Sequence, residues 1–128
     1  MRVLLIDDDA LVRGTLAETL AAEGIEVDGL ANAEDALVLL GAGQVPDVLV
    51  ADIDLGPGLS GLDLAGIARE RHPAVEVVLI SGASLGPGQP AAGPAAGPHE
   101  RFLRKPFAAS ALAEVIRAAA AAADEANG

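Results

Sequence analysis

The chain contains no cysteine, no tryptophan and no tyrosine. Without cysteine it can form no disulfide, no thiolate zinc site and no thiol nucleophile. Phe102 and Phe107 are its whole aromatic content, so the core has to be aliphatic. Positive charge is scarce as well: 8 basic side chains stand against 19 acidic ones, a formal charge of −11. That balance repels phosphate backbones and anionic membranes, so neither nucleic acid nor membrane is expected as a partner. Long apolar runs are missing. Val3-Leu4-Leu5-Ile6 stops at Asp7, too short for a signal peptide, and nothing approaches the ~20 apolar residues of a membrane span. A soluble, cytoplasmic protein is the expectation. What the chain does have is 37 Leu, Ile, Val and Phe residues and 28 alanines in a length of 128, enough for one compact domain over 1–128.

Three short runs dominated by aliphatic residues, Val3 to Ile6, Val48 to Ala51 and Val75 to Ile80, lack polar alternation. Strands of this kind are covered on both faces, as in a parallel sheet flanked by helices. Between them the period changes. Val12, Leu16 and Leu20 repeat every four residues in a helix over 10–23 that Gly24 closes. Ile25 to Leu30 reads as another strand, and Asn32 caps a helix carrying Ala36, Leu37 and Leu40. Ser60 and Asp63 form a capping-box variant that opens a third helix, which reaches about Arg71 and stops before Pro73. Arg101 to Arg104 makes a fifth strand, and Leu112, Val115, Ile116 and Ala119 mark a final helix from about Phe107. Repeated βα units predict a doubly wound α/β sheet.

One unit breaks the pattern. Residues 82–98 hold Pro87, Pro90, Pro94 and Pro98 together with Gly82, Gly86, Gly88, Gly93 and Gly97. Each proline removes an amide donor and clashes with a helical turn, so the fourth helix is expected to be missing or irregular.

In open α/β sheets, ligands sit beyond the carboxyl ends of the strands. The first strand runs into Asp7-Asp8-Asp9, the third into Asp52-Ile53-Asp54, the fourth into Ser81 and the fifth into Lys105, the only lysine. Taken singly, each has a plain structural explanation: acids cap helix N-termini, a serine suits a turn, and a lysine is solvated. Together they put carboxylates, a hydroxyl and an amine on one rim. Converging carboxylates repel unless a cation joins them, and an all-oxygen donor set suits Mg2+. His72 and His99 lie elsewhere and read as ordinary surface residues.

These residues carry a family resemblance over essentially the whole chain. The stretch from Leu4 through Asp7, Asp8 and Asp9, the run from Asp47 to Asp52, Leu79-Ile80-Ser81-Gly82 and Phe102-Leu103-Arg104-Lys105-Pro106 resemble the receiver domain of bacterial two-component response regulators. The resemblance implies a flavodoxin-like fold with strand order 2-1-3-4-5. It also implies that Asp52 accepts a phosphoryl group from a histidine kinase or histidine phosphotransfer protein. Asp7, Asp8, Asp52 and the Asp54 backbone carbonyl would hold Mg2+, and Ser81 and Lys105 would contact the phosphoryl oxygens. Phe102 would be the aromatic switch that, with Ser81, alters binding to an output protein. Such a domain is a signalling module and not an enzyme; a stand-alone receiver, as monomer or weak dimer, is the expected form.

Gly56-Pro57-Gly58-Leu59-Ser60-Gly61 matches the G-x-G-x-x-G of dinucleotide sites. It follows the third strand, contains a proline without an N–H and lies beside acids, so it reads as a glycine-rich turn. Counted from Asp52 to Gly61, this loop is one residue longer than the common family pattern. Two alternatives remain at this point. Asp52-Ile53-Asp54 also resembles the D-x-D of haloacid-dehalogenase-like phosphatases, and a degenerate receiver would bind partners without phosphorylation.

Overall fold

The computed structural model describes residues 1–82, 92–94 and 99–127, with backbone alone at 92–94 and 123–127. The elements run β1 (Arg2–Ile6), α1 (Ala10–Ala22), β2 (Glu26–Leu30), α2 (Ala33–Gly41) and β3 (Val48–Asp52). They continue with α3 (Gly61–Arg71), β4 (Glu76–Ser81), β5 (Ala92–Pro94), β6 (Glu100–Arg104) and α4 (Ala109–Asn127). The sheet order is β2-β1-β3-β4-β6-β5. Its five parallel strands reproduce the expected 2-1-3-4-5 arrangement, with β6 in fifth place.

Two apolar layers, one on each face of the sheet, follow from the pleat. Val3, Leu5, Val48, Val50, Val78, Ile80 and Leu103 point to one side and pack with Leu16 and Leu20 of α1 and Leu112, Ile116 and Ala119 of α4. Leu4, Ile6, Leu49, Ala51, Val77 and Leu79 point the other way, against Ala33, Ala36 and Leu40 of α2 and Leu64, Ala65 and Ala68 of α3. Full burial of each Val, Leu or Ile contributes about 1.5–3 kcal/mol. Small helix residues at the contacts, such as Ala113 and Ala68, let backbones approach a core that has almost no aromatic bulk.

The helix ends are set by local chemistry. Asp9 caps α1, its carboxylate accepting from the Leu11 and Val12 amides at 3.0 and 3.1 Å. Asn32 accepts from Asp35 N–H at 2.8 Å at the start of α2. Ser60 and Asp63 form the reciprocal capping box of α3, both bonds being present. Gly24, at φ +83°, ends α1 in the left-handed conformation that glycine adopts without strain.

Most of the expectation for residues 82–98 falls outside the described residues. Within the described part no helix lies between β4 and β6; Ala92–Pro94 instead forms a short antiparallel strand that pairs with Arg101 to Leu103 and becomes the edge of the sheet. No helix among the described residues is long and apolar enough to cross a membrane.

His99 is not an ordinary surface residue: its Nδ1 lies 3.2 and 3.1 Å from the two carboxylate oxygens of Glu76. Glu76 opens β4 and is fully buried. A buried carboxylate needs a hydrogen-bond partner, and the histidine supplies one from the residue before β6.

Candidate functional site

The carboxyl ends of β1, β3, β4 and β6 bring the expected side chains onto one rim. Asp7 follows β1 and continues its ladder, its N–H donating to Leu30 O at 3.0 Å. The Asp7 side chain is buried; Oδ1 accepts from Asp9 N–H at 2.9 Å, while Oδ2 is buried with no hydrogen-bond partner among the described residues. Asp8 is exposed beside it. Asp52 is the last residue of β3 and is buried. Its Oδ1 accepts from Asp54 N–H at 3.0 Å and its Oδ2 from Lys105 Nζ at 2.6 Å. One carboxylate oxygen from each of Asp7, Asp8 and Asp52 lies within 4.8 Å of the other two.

Lys105 reaches this position because the β4–β6 ladder continues past Arg104, with Lys105 N–H donating to Ser81 O at 2.8 Å. The Lys105–Pro106 peptide bond that follows is cis. Next to it, a groove of about 280 Å³ is lined by Val12, Leu16, Lys105, Pro106 and Phe107.

The electrostatics are those of crowded acids with one cation. Burial pushes the Asp7 carboxyl above its ordinary range, with the charges of Asp52 and Asp8 adding to the shift and the Asp9 amide and Lys105 opposing it. Lys105 is also pushed up, first by its hydrogen bond to Asp52 and then by the surrounding negative charge. The unpartnered Asp7 Oδ2 and the all-oxygen donor set fit a hard divalent cation: a buried acceptor lacks a donor, and carboxylate oxygens suit Mg2+.

Other expected residues take different places. Ser81 is buried at the end of β4, and its hydroxyl donates to Gly82 O at 3.2 Å, not to a carboxylate. Phe102 is half-buried on β6 and packs against the core layer shared with α2 and α3. The Asp54 carboxylate is exposed and accepts from Gly56 N–H at 3.3 Å, outside the group formed by Asp7, Asp8 and Asp52. Asp9 serves α1 as its cap.

The glycines of the G-x-G-x-x-G match are explained by the turn. Gly56 and Gly58 have φ of +75° and +97°. A Cβ at Gly61 would stand 2.2 Å from Asp52 O, a distance no side chain tolerates. The third glycine is thus what lets α3 begin directly against the end of β3.

A family model described as the response regulator receiver domain matches residues 3–117. The chain belongs to this family. Over 115 residues the receiver is 32% identical to the response regulator protein FleR of Pseudomonas aeruginosa, covering 90% of this chain and 24% of that one. It is 42% identical over 87 residues to a protein-glutamate methylesterase/protein-glutamine glutaminase of Anaeromyxobacter dehalogenans, 67% of this chain and 24% of that protein. The chain thus spans about a quarter of the length of these relatives. Among solved structures, a response regulator receiver protein from Sinorhizobium medicae superposes with a TM-score of 0.82 at 27% identity, covering 96% of both chains. The receiver domain of the hybrid histidine kinase CckA gives 0.76 at 27% identity, covering 94% of this chain and 99% of that one.

One contributor to the receiver's site carries little sequence signal. Arg13 of α1 donates from Nη1 to Asp7 O at 2.7 Å and so pins the β1–α1 loop. Its side chain lies across Gly29 of β2, where a Cβ would stand 3.1 Å from Arg13 Cγ. The pairing of that arginine with a glycine sixteen residues on is the one available hint.

Proposed function

We propose that this receiver takes a phosphoryl group onto Asp52 from a phosphohistidine of a histidine kinase or histidine phosphotransfer protein, and thereby changes its binding to an output partner. The observation that supports this most directly is Asp52 itself, buried at a strand end with Lys105 Nζ at 2.6 Å and the carboxylates of Asp7 and Asp8 alongside. An Asp52 carboxylate oxygen attacks phosphorus, the P–N bond to the donor imidazole breaks, and an acyl phosphate forms. The chain's task is alignment and charge neutralisation, which dominate phosphoryl transfer.

Asp54 N–H orients Asp52 by holding Oδ1, which leaves Oδ2 to exchange its contact with Lys105 for the incoming phosphorus. Lys105 then pairs with a phosphoryl oxygen. Asp7, Asp8, Asp52 and the Asp54 backbone carbonyl would hold Mg2+, which when bound neutralises both the carboxylates and the transferring oxygens. Ser81 needs only to rotate its hydroxyl from Gly82 O to donate to a phosphoryl oxygen. Phe102, half-buried on β6 and paired with Leu79 two residues before Ser81, lies near enough to follow Ser81, and the pair carries the signal as a two-state change. In this reading the chain is a phosphoacceptor module over 1–128 and not an enzyme acting on a separate substrate.

Incubation with acetyl phosphate and Mg2+, followed by intact mass and peptide mapping, tests the proposal. A gain of about 80 Da located on Asp52 supports it, as expected for a covalent acyl phosphate. Turnover of phosphate monoesters without an adduct would instead support a phosphatase. No reaction at all would support a binding module independent of phosphorylation.

A further inference from the structure

The loop between β3 and α3, residues 53–60, carries the backbone that follows Asp52. It is tied at both ends. Asp54 N–H donates to Asp52 Oδ1 at the start, and Gly61 N–H donates to Ile53 O at 3.0 Å where α3 begins. Leu55 anchors the first half in the core layer beneath α2 and α3. The second half, Pro57-Gly58-Leu59, has no such apolar anchor until Leu59, and Pro57 has no amide to donate.

Glu34, in the first turn of α2, meets this stretch. Leu59 N–H donates to Glu34 Oε2 at 2.9 Å. Gly58 lies directly under the same carboxylate: a Cβ there would stand 2.8 Å from Oε2 and 3.3 Å from Oε1. These are two separate contacts, one polar and one steric, by a single side chain. The Leu59 amide holds the Glu34 carboxyl below its ordinary range, as a hydrogen bond to the charged form does. Earlier in the loop, a Cβ at Gly56 would stand 3.7 Å from Asp8 Oδ2. The loop is therefore bonded to a carboxylate of α2 and passes close to a carboxylate of the site. Among the described residues, Glu34 makes the one hydrogen bond to the backbone amides of residues 57–59.

We infer that Glu34 is a positioning residue: by clamping Leu59 N–H over Gly58 it fixes the β3–α3 loop, and with it the Asp54 backbone and Gly56, against Asp8. A glycine-rich loop samples many conformations unless a contact along its length restrains it, and a metal site tolerates only small displacements of its ligands. Glu34 touches neither the phosphoryl acceptor nor the ion. It acts through the loop. This inference rests on the receiver reading only for the ion that the loop helps to hold; the clamp itself is independent of it.

The test uses the full chain as wild type, Glu34→Gln and Glu34→Ala. Amide hydrogen exchange at Leu59 reads the clamp, and titration with Mg2+ alone, followed by calorimetry because no tryptophan or tyrosine is present, reads the site. In Glu34→Ala the Leu59 amide is expected to exchange roughly five- to tenfold faster. Mg2+ affinity is expected to fall about three- to tenfold, less than the roughly 10- to 100-fold lost when a direct outer-shell partner is removed. Glu34→Gln keeps a side-chain carbonyl that accepts from Leu59 N–H, so it should retain both properties within about twofold. Unchanged Leu59 exchange in Glu34→Ala overturns the clamp. Faster exchange with unchanged Mg2+ affinity overturns its positioning role, and an equal loss of affinity in both variants assigns the effect to charge instead. Should wild type itself bind no Mg2+, the metal reading of the site fails, while Leu59 exchange that rises only in Glu34→Ala still supports the clamp.

Discussion

Lys105 Nζ and Asp52 Oδ2 stand 2.6 Å apart although their strands are not neighbours. β4 lies between β3 and β6, so the lysine spans the end of an intervening strand to reach the carboxylate. The β4–β6 ladder sets up that reach, the Ser81 carbonyl receiving the Lys105 amide. The pair ties three strand ends together at the rim.

Replacing Lys105 by Ala should slow phosphorylation by acetyl phosphate at least about tenfold while leaving the fold in place, since the loss is of charge stabilisation. Because the ammonium is substantially exposed, its loss should cost no more than about 1 kcal/mol of stability. The lysine is held above its ordinary range, so the pair's contribution is intact below that range and disappears as pH rises through the raised value. Urea unfolding at neutral and strongly alkaline pH checks this; a wild-type advantage over Lys105→Ala that grows with alkalinity contradicts it.

Asp7 follows the same rule in a lower pH window. Its carboxyl is raised by burial, so the folded state holds the proton more tightly than the unfolded chain. Stability from this group is present at acid pH and is lost as pH climbs from the ordinary carboxylate range through the raised value. At pH 7 without divalent cations, Asp7→Asn should therefore raise Tm. In the same variant, added Mg2+ should no longer stabilise. A lower Tm for metal-free Asp7→Asn would count against the account.

Gly61→Ala should be among the most damaging single changes, because the new methyl would meet the Asp52 carbonyl 2.2 Å away. Backbone on both sides leaves no flexible partner to yield, so a loss of about 3 kcal/mol or more is expected. The urea midpoint measures it. Gly66→Ala, on the same helix with open space around it, is the control and should be neutral or slightly stabilising.

The Glu76–His99 pair should behave as a unit. His99→Ala leaves a fully buried carboxylate without its donor and should cost about 2–4 kcal/mol, toward the lower side of a broken buried pair because His99 reaches solvent. In a Glu76→Leu background the same change should cost less than about 1 kcal/mol. Additive losses in a denaturation cycle would show that the two side chains do not depend on each other.

Much of this fold is legible because its signals are local. Asp9, Asn32 and Ser60 each sit where a helix must begin, and the aliphatic runs 3–6 and 48–51 have the composition of strands covered on both faces. The rim of the site is legible for a related reason: a strand end is recognisable in sequence, so Asp7, Asp52, Ser81 and Lys105 could be placed together without knowing their distances. The Glu76–His99 contact was hidden because it joins two strands twenty-three residues apart, through a glutamate inside a run that otherwise reads as apolar. Arg13 over Gly29, and Glu34 over Gly58, are equally non-local, and a glycine in sequence does not announce which side chain will occupy the space it leaves. The three residues of β5 lie in a stretch whose prolines and glycines argue against any regular element, and pairing with β6 outweighs that local preference.

That short strand has a consequence for how molecules of this protein meet one another in concentrated solution. Without it, β6 would end the sheet and offer its outer amides and carbonyls to any extended chain, the usual starting point for edge-to-edge aggregation. With it, the edge is Ala92–Pro94, too short to template a long ladder and closed by a residue that has no N–H to give. At the opposite border, β2 exposes Glu26, whose charge repels an approaching copy, and Asp28, which is paired with Arg2 at 3.2 Å. Both flanks of the sheet are thus unsuited to strand exchange, one through its length and its proline, the other through its charge.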